Sequence, residues 1–396
     1  VETVRSDHSV RYGHPLMLRR DLIPLVCAVT ALAAAGLGVA VSLHWTSWDT
    51  TSLVRMHETL PIAKLAVHDD PGFRLRADSG FYDGAFFYAI ARDPLATGDA
   101  HRLLKEAPYY WGHPAYGWLA WLASAGGRPG AVPDALLAVG LLTIFLAGGA
   151  ASLFARALGW TPWGGLAVAL NPGLVFAVNT DTSEPLGAAL LLLGLLAYAR
   201  GRRGWAFGLL ACLCLVKEPL VLVPLALAGW ELRRTRRVPL VAAAVAPAVL
   251  WWVYVRIHLG AFPFGQGSER LSVPLAGWAR ALLDAARQSW NPGVDTAQLG
   301  QAAVPLIIVV GLAIVVAAIY SLRLRSVVHP AFLALAALYA CISPNGVQYP
   351  KDLTRELALV LVLLPFVFAV RATASDRPSA RRYPRAPLPS RRPPES

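Results

Sequence analysis

Long apolar runs alternate with short polar connectors along most of this chain. Several runs reach about 17–25 residues, the length that carries a helix across a hydrocarbon core of roughly 30 Å. The pattern predicts membrane helices over 22–43, 134–156, 161–179, 183–199, 204–216, 219–232, 238–258, 303–322, 327–342 and 356–372. A further apolar piece, PAYGWLAWLASAG at 114–126, reads as a short span or as a helix lying at the interface, where its tryptophans are favoured. Counting it gives about 10–11 spans. The stretch 204–232 would make a single helix of about 42 Å at 1.5 Å per residue. It carries Lys217-Glu218-Pro219 at its middle, and proline lacks an amide proton and restricts its predecessor, so two short helices are expected there.

Composition agrees with this picture: 56% of the 396 residues are hydrophobic and 15% are charged, too apolar for an ordinary soluble domain. The fold expected is an all-α polytopic membrane protein. The first run is longer than a signal-peptide core and lacks a small-residue cleavage site after it, so it reads as a retained helix. The net charge of +12 lies largely at the N-terminus, in short connectors and in a tail, so it follows the positive-inside rule and does not point to nucleic acid. Arginines at 200–203, 233–237 and 323–325 then mark the cytoplasmic side. This leaves 44–113, 180–183, 259–302 and 343–355 outside, and ten spans then bring both termini inside. The chain divides into a cytoplasmic segment 1–21, a membrane domain 22–372 and a tail 373–396, whose Pro, Arg and Ser content cannot bury a core. Cys27, Cys212, Cys214 and Cys341 suggest neither disulfides nor a metal site, and Cys212 and Cys214 would not share a helix face.

The chemistry concentrates in the polar segments. Residues 44–113 hold nine of the 24 acidic residues and five of the nine histidines, among many aromatics that argue for order and short surface helices. In FYDGAFFYAIARDPL, residues 81–95, Asp83 is placed either to cap a helix from Gly84 to about Asp93 or to do acid–base chemistry. In the capped reading the helix has an apolar stripe through Phe86 or Phe87 and Ile90, with Arg92 complementing the dipole near its end. His68-Asp69-Asp70 precedes Pro71-Gly72, and a turn is the favoured reading over a metal site. Asp181 and Glu184 flank a tight connection, where capping is favoured over catalysis; Glu184 starts the next helix. Lys217 and Glu218 lie deep enough that ionisable groups are costly, which favours a site over a mutually neutralised pair. In SPNGVQYPKDLTRE, Lys351 and Arg355 run against the positive-inside bias and suit phosphate or pyrophosphate. Local pairing of Asp352 with Arg355 is the structural alternative. No GxGxxG or Walker A loop is present.

The order YDGAFFYAIARDP, NPGLVF…DTSEPLGAALLLLG, CLVKEPLVLVPLAL resembles bacterial membrane glycosyltransferases of the GT-C superfamily, of the mannosyltransferase-like kind. HPAYGW, from His113 to Trp118, is similar to the start of the second helix in protein O-mannosyltransferase relatives. The resemblance covers about residues 20–232 and extends plausibly to 372. It implies a GT-C-like bundle with a long first extracytoplasmic loop in a bacterial plasma membrane. It further implies a polyprenyl-phosphate sugar donor and an acceptor glycan, lipid or protein in the envelope. By motif position it makes Asp83 the catalytic base, with Asp49 as competitor. Tyr82, Arg92, His113, Glu184, Lys217, Glu218, Lys351 and Arg355 form the substrate-binding set, and the need for a divalent cation is left open. The chain departs from its relatives at Val216-Lys217-Glu218, where they often have Thr-Arg-Glu, at Ala85, where Gln is common, and at Trp111-Gly112-His113-Pro114, where an arginine is expected. A lipid-linked-sugar flippase and a non-catalytic envelope-assembly protein are the alternatives from other classes.

Overall fold

The computed structural model describes residues 15–77, 82–264, 271–289 and 296–369, so the tail and most of the N-terminal segment lie outside the described residues. Among the described residues the fold is helical without named strands, with one isolated bridge between His57 and Arg76. The α-helices in chain order are α1 (Pro15–His44), α2 (Pro61–Asp69), α3 (Gly84–Arg92), α4 (Ala107–Trp111), α5 (Ala115–Ala123) and α6 (Val132–Ala157). They continue as α7 (Leu166–Ala169), α8 (Pro172–Val178), α9 (Glu184–Ala199), α10 (Arg203–Cys214), α11 (Leu222–Thr235) and α12 (Ala246–Leu259). The last are α13 (Ala276–Ser289), α14 (Thr296–Ser321), α15 (Val328–Ala340), α16 (Pro350–Glu356) and α17 (Ala358–Ala369).

Among the described residues four helical stretches are long and apolar enough to cross a membrane: Asp21–His44, Pro129–Ala157, Leu240–Leu259 and Gln301–Ser321. Shorter apolar helices are α9, α10, α15 and α17. Leu37, Leu250, Ile257, Val309 and Leu312 are largely exposed on the long ones, an apolar surface of the kind that meets lipid. The chain is therefore a helical, membrane-associated protein. At the centre, α6 packs against α1 on one side and α9 on the other, and α9 continues onto α10.

The apolar pattern and the helices differ over 161–179, and the structure decides between the two readings of 114–126. Residues 161–179 form a broken segment instead of one continuous helix: a 3-10 turn at Pro162–Gly165, then α7, then α8. Asn171 causes the second break, because its side chain accepts from the amides of Gly173 and Leu174 and Pro172 opens the new helix. The piece at 114–126 yields only α5, nine residues, which spans roughly 14 Å and is too short to cross. The break at Lys217-Glu218-Pro219 is present, with Lys217 in extended backbone (φ −151°, ψ 137°) between α10 and a 3-10 turn. Cys212 is exposed and Cys214 buried, on different faces as expected.

Two local expectations for 44–113 change. The helix after Asp83 is not a surface helix with one apolar stripe, since Gly84 through Ala91 are all buried. Gly117 lets α5 approach it closely, as a Cβ there would lie 2.5 Å from Ile90 Cγ2. Asp83 does not cap α3, either: its backbone is helical (φ −60°, ψ −17°) and its side chain makes no cap hydrogen bond. The turn after His68 is present, with the Gly72 amide donating to Asp70 Oδ1 at 2.9 Å.

Candidate functional site

Four chain segments converge on one cluster of charges beside a cleft. The first is the start of α3. Gly84 sits where the carbonyls of Thr180 and Val54 approach to 2.7 and 2.8 Å of an added Cβ, so a side chain there would force the loops apart. This holds Asp83 at the junction of three loops. The second is α16, seated on α8 at Gly173, where an added Cβ would meet the Thr354 carbonyl oxygen at 1.9 Å. Asn171 ties the same junction by donating from Nδ2 to the Ala358 carbonyl at 3.0 Å. The third and fourth are the first turn of α9, carrying Glu184, and the extended residue Lys217.

Arg355 is the hub. Its Nη1 donates to Asp83 Oδ2 at 2.6 Å, its Nη2 donates to Glu356, and its Nε lies 4.0 Å from Glu184 Oε1. Lys217 Nζ donates to Glu184 Oε1 at 2.9 Å and to Glu356 Oε2 at 3.3 Å. Tyr82 donates its phenol proton to Asp352, and both Lys351 Nζ and Arg355 Cζ lie 4.9 Å from its ring centre. Burial alone would lower the Arg355 guanidinium, but Glu356, Asp83 and Glu184 more than reverse that, so the group is a fixed cation. Burial and the hydrogen bond to Asp352 push the Tyr82 phenol well above its ordinary range, so it stays neutral. The resulting cleft, about 220 Å³, is lined by Tyr82, Asp83, Asn345, Gly346, Lys351, Asp352, Arg355 and Glu356.

A hollow of about 410 Å³ shares Asn345 with the cleft and runs past Ser343 and Pro344 to Ala276 and Arg280 on α13. On the other side of α13 lies an apolar groove of about 630 Å³ between α13, α14 and α15, lined by Trp278, Ile307, Gly311, Leu312, Val315 and Ala336 among others. Trp278 anchors its roof by donating from the indole N–H to the Tyr339 carbonyl at 2.8 Å. A polar, doubly cationic cleft thus adjoins a hollow at α13, and a separate apolar groove lies on the opposite face of that helix.

Of the residues singled out in the sequence, Asp83, Tyr82, Glu184, Lys217, Lys351 and Arg355 come together here. The others do not. Asp49 is turned inward, its Oδ1 accepting from the Thr51 amide at 3.0 Å and hydroxyl at 2.7 Å and its Oδ2 pairing with Arg74 at 3.0 Å. Arg92 pairs with Asp69 at 2.6 Å and donates to the Gly127 carbonyl. Lys217 and Glu218 do not neutralise each other. Glu218 turns the other way, 3.0 Å from His113 Nδ1, in space opened by Gly112, whose Cβ would collide with it. Asp352 and Arg355 are not paired locally; each reaches back to the 82–83 dipeptide. Asn345 and Gly346 were missed in the sequence, and their only signal is the Pro-Asn-Gly turn before the basic segment. Asp181 is wholly buried with positive φ (48°), and neither carboxylate oxygen has a hydrogen-bond partner among the described residues. Burial and the Asp134 charge push its carboxyl well above the ordinary range. Among the described residues no group of three or more His, Cys, Asp or Glu side chains is placed to hold a metal ion.

Comparison with protein-family models, with curated proteins and with solved structures finds no match for this chain.

Proposed function

We propose that the chain is an integral membrane glycosyltransferase of GT-C type, transferring a sugar from a polyprenyl-phosphate donor to an envelope glycan, lipid or protein. The observation that carries this reading is Asp83. It stands at a helix start yet leaves the cap unmade, and its carboxylate, 41% exposed, faces a cleft with two cations. In the reaction, the acceptor hydroxyl gives its proton to Asp83 as its oxygen bonds the anomeric carbon. The bond from that carbon to the phosphate oxygen breaks, inverting the centre. The polyprenyl phosphate departs with the electron pair, its charge offset by Lys351 and Arg355. Glu356 holds Arg355 in place, with Glu184 4.0 Å from its Nε, and Lys217 donates to both of these carboxylates. The apolar groove on the far face of α13 supports an amphiphilic donor, since a phosphate head suits the cleft and an isoprenoid tail suits an apolar surface.

In this reading the four long helices and the four shorter apolar ones join α11 and the broken segment 162–178 in a ten-span bundle. The bundle sits in a bacterial plasma membrane, with both termini cytoplasmic and the cleft outside. The test is transfer from radiolabelled polyprenyl-phosphate sugars by purified protein. The wild type forms glycosidic product, and Asp83→Asn lowers the rate about 10³-fold, within the range of lost acid–base catalysis, in protein that remains folded. Normal transfer by the variant removes Asp83 as the base. Carrier translocation in liposomes without glycosidic product identifies a transporter.

A further inference from the structure

One oxygen of the base proposed above is committed in this structure. Asp83 Oδ2 accepts a hydrogen bond of 2.6 Å from Arg355 Nη1. A general base must reach the hydroxyl it deprotonates at about 2.6–3.2 Å with a lone pair to offer, and a carboxylate committed to a guanidinium is a poorer acceptor. The partners differ in freedom. The Arg355 side chain is 6% exposed and is held from behind by Glu356 and, more distantly, Glu184, whereas Asp83 is 41% exposed. Of the guanidinium nitrogens, Nη1 is the one that meets the cleft-facing acid. Lys351 is exposed, lies against the Tyr82 ring that Arg355 also faces, and makes no ion pair among the described residues. An anion entering the cleft therefore meets Lys351 before it meets Arg355.

A phosphate ester carries up to two negative charges and several acceptor oxygens, and arginine binds such groups with its paired N–H donors. It competes for Nη1 against a single carboxylate with room to move. Resting on the function read above, we propose that the Asp83–Arg355 ion pair is a latch: Arg355 holds the base until the donor phosphate takes Nη1, so the acceptor is deprotonated only after the donor is bound. The ion pair is then the ligand-free arrangement of the site, and donor binding precedes deprotonation of the acceptor. No covalent step is added, because the exchange swaps one charge-assisted hydrogen bond for another.

The test measures binding of a sugar-free polyprenyl monophosphate to full-length protein in detergent, with neutral polyprenol as control. The latch predicts that Asp83→Asn and Asp83→Ser each bind the phosphate about tenfold tighter than wild type, the size of one charge-assisted hydrogen bond recovered, with polyprenol binding unchanged. Asp352→Asn removes the same charge from the same cleft without touching Arg355, and its gain is expected at two- to threefold or less, as for screened charge. Equal gains in the Asp83 and Asp352 variants would reduce the effect to net charge and overturn the latch. So would unchanged or weaker binding in both Asp83 variants. If wild type and variants alike bind the phosphate no better than polyprenol, the donor site itself fails along with the latch. If all prefer the phosphate equally, the latch alone fails.

Discussion

The two ends of α3 each carry an aspartate, and the two have opposite fates. Asp93, just past the C-terminus, is satisfied within eight residues. Its Oδ1 accepts from the amides of Thr97 at 2.8 Å and Gly98 at 2.9 Å, and its Oδ2 meets His101 Nδ1 at 2.7 Å. Burial alone would raise this carboxyl, but the hydrogen bonds from Gly98, His101 and Thr97 hold it below its ordinary range. Asp83, at the N-terminus, ignores the amides beside it and takes a partner 272 positions away. Capping at one end locks a loop. Declining to cap at the other end leaves a carboxylate in a cleft. The residue type says nothing about which outcome applies; what decides is whether the nearest unsatisfied donors are local or come from another helix.

Three substitutions break this contrast. The largest effect is expected from Gly173→Ala, which places a methyl group against the Thr354 backbone and pushes α16, with Arg355, off α8. Overpacking of this kind costs about 3 kcal/mol. A lower melting temperature and loss of transfer should appear together, while the Thr97 and Gly98 amides keep their hydrogen-exchange protection. Asp93→Asn does the reverse. It removes the charge from several hydrogen bonds for about 2 kcal/mol and exposes those two amides to exchange, leaving the Asp83 cleft intact. The wild-type loop carries a matching pH signature. The folded carboxyl titrates below its unfolded value of 3.8, so its contribution is full above that pH and is lost as pH falls through the folded value. In a melting series, the slope below pH 4 should be shallower for Asp93→Asn than for wild type. The smallest effect is expected from Asp49→Asn. With its carboxylate spent on Thr51 and Arg74, it should lose about 1 kcal/mol of stability and keep transfer within about twofold. A collapse of transfer in that variant would return Asp49 to contention as the base.

Much of the architecture is legible along the chain because it depends on neighbours. Apolar runs predict α1, α6 and α14. Pro219 predicts the break after Lys217, and Pro71-Gly72 predicts a turn. Residues 161–179 mislead because their apolar content is continuous while Asn171-Pro172 restarts the helix. PAYGWLAWLASAG allows either a short span or a helix that does not cross, because hydropathy does not show where a helix will stop, and the nine residues of α5 decide for the second.

The candidate site was legible as a set of residues and illegible as a set of bonds. Lys351 and Arg355 stand out by position and Lys217 by depth, so their chemistry was visible. Their partners were not: Lys217 joins Glu184 and Glu356, not its neighbour Glu218, and Arg355 joins Asp83. The sequence by itself determined that the chain is helical, apolar and rich in ionisable groups at its connectors, since periodicity and hydropathy act over a few residues. Only the tertiary structure decided which charges meet. Their pairing depends on how α8 seats α16 through Gly173 and how Gly84 admits the loops at Val54 and Thr180, contacts between backbones that no local pattern encodes.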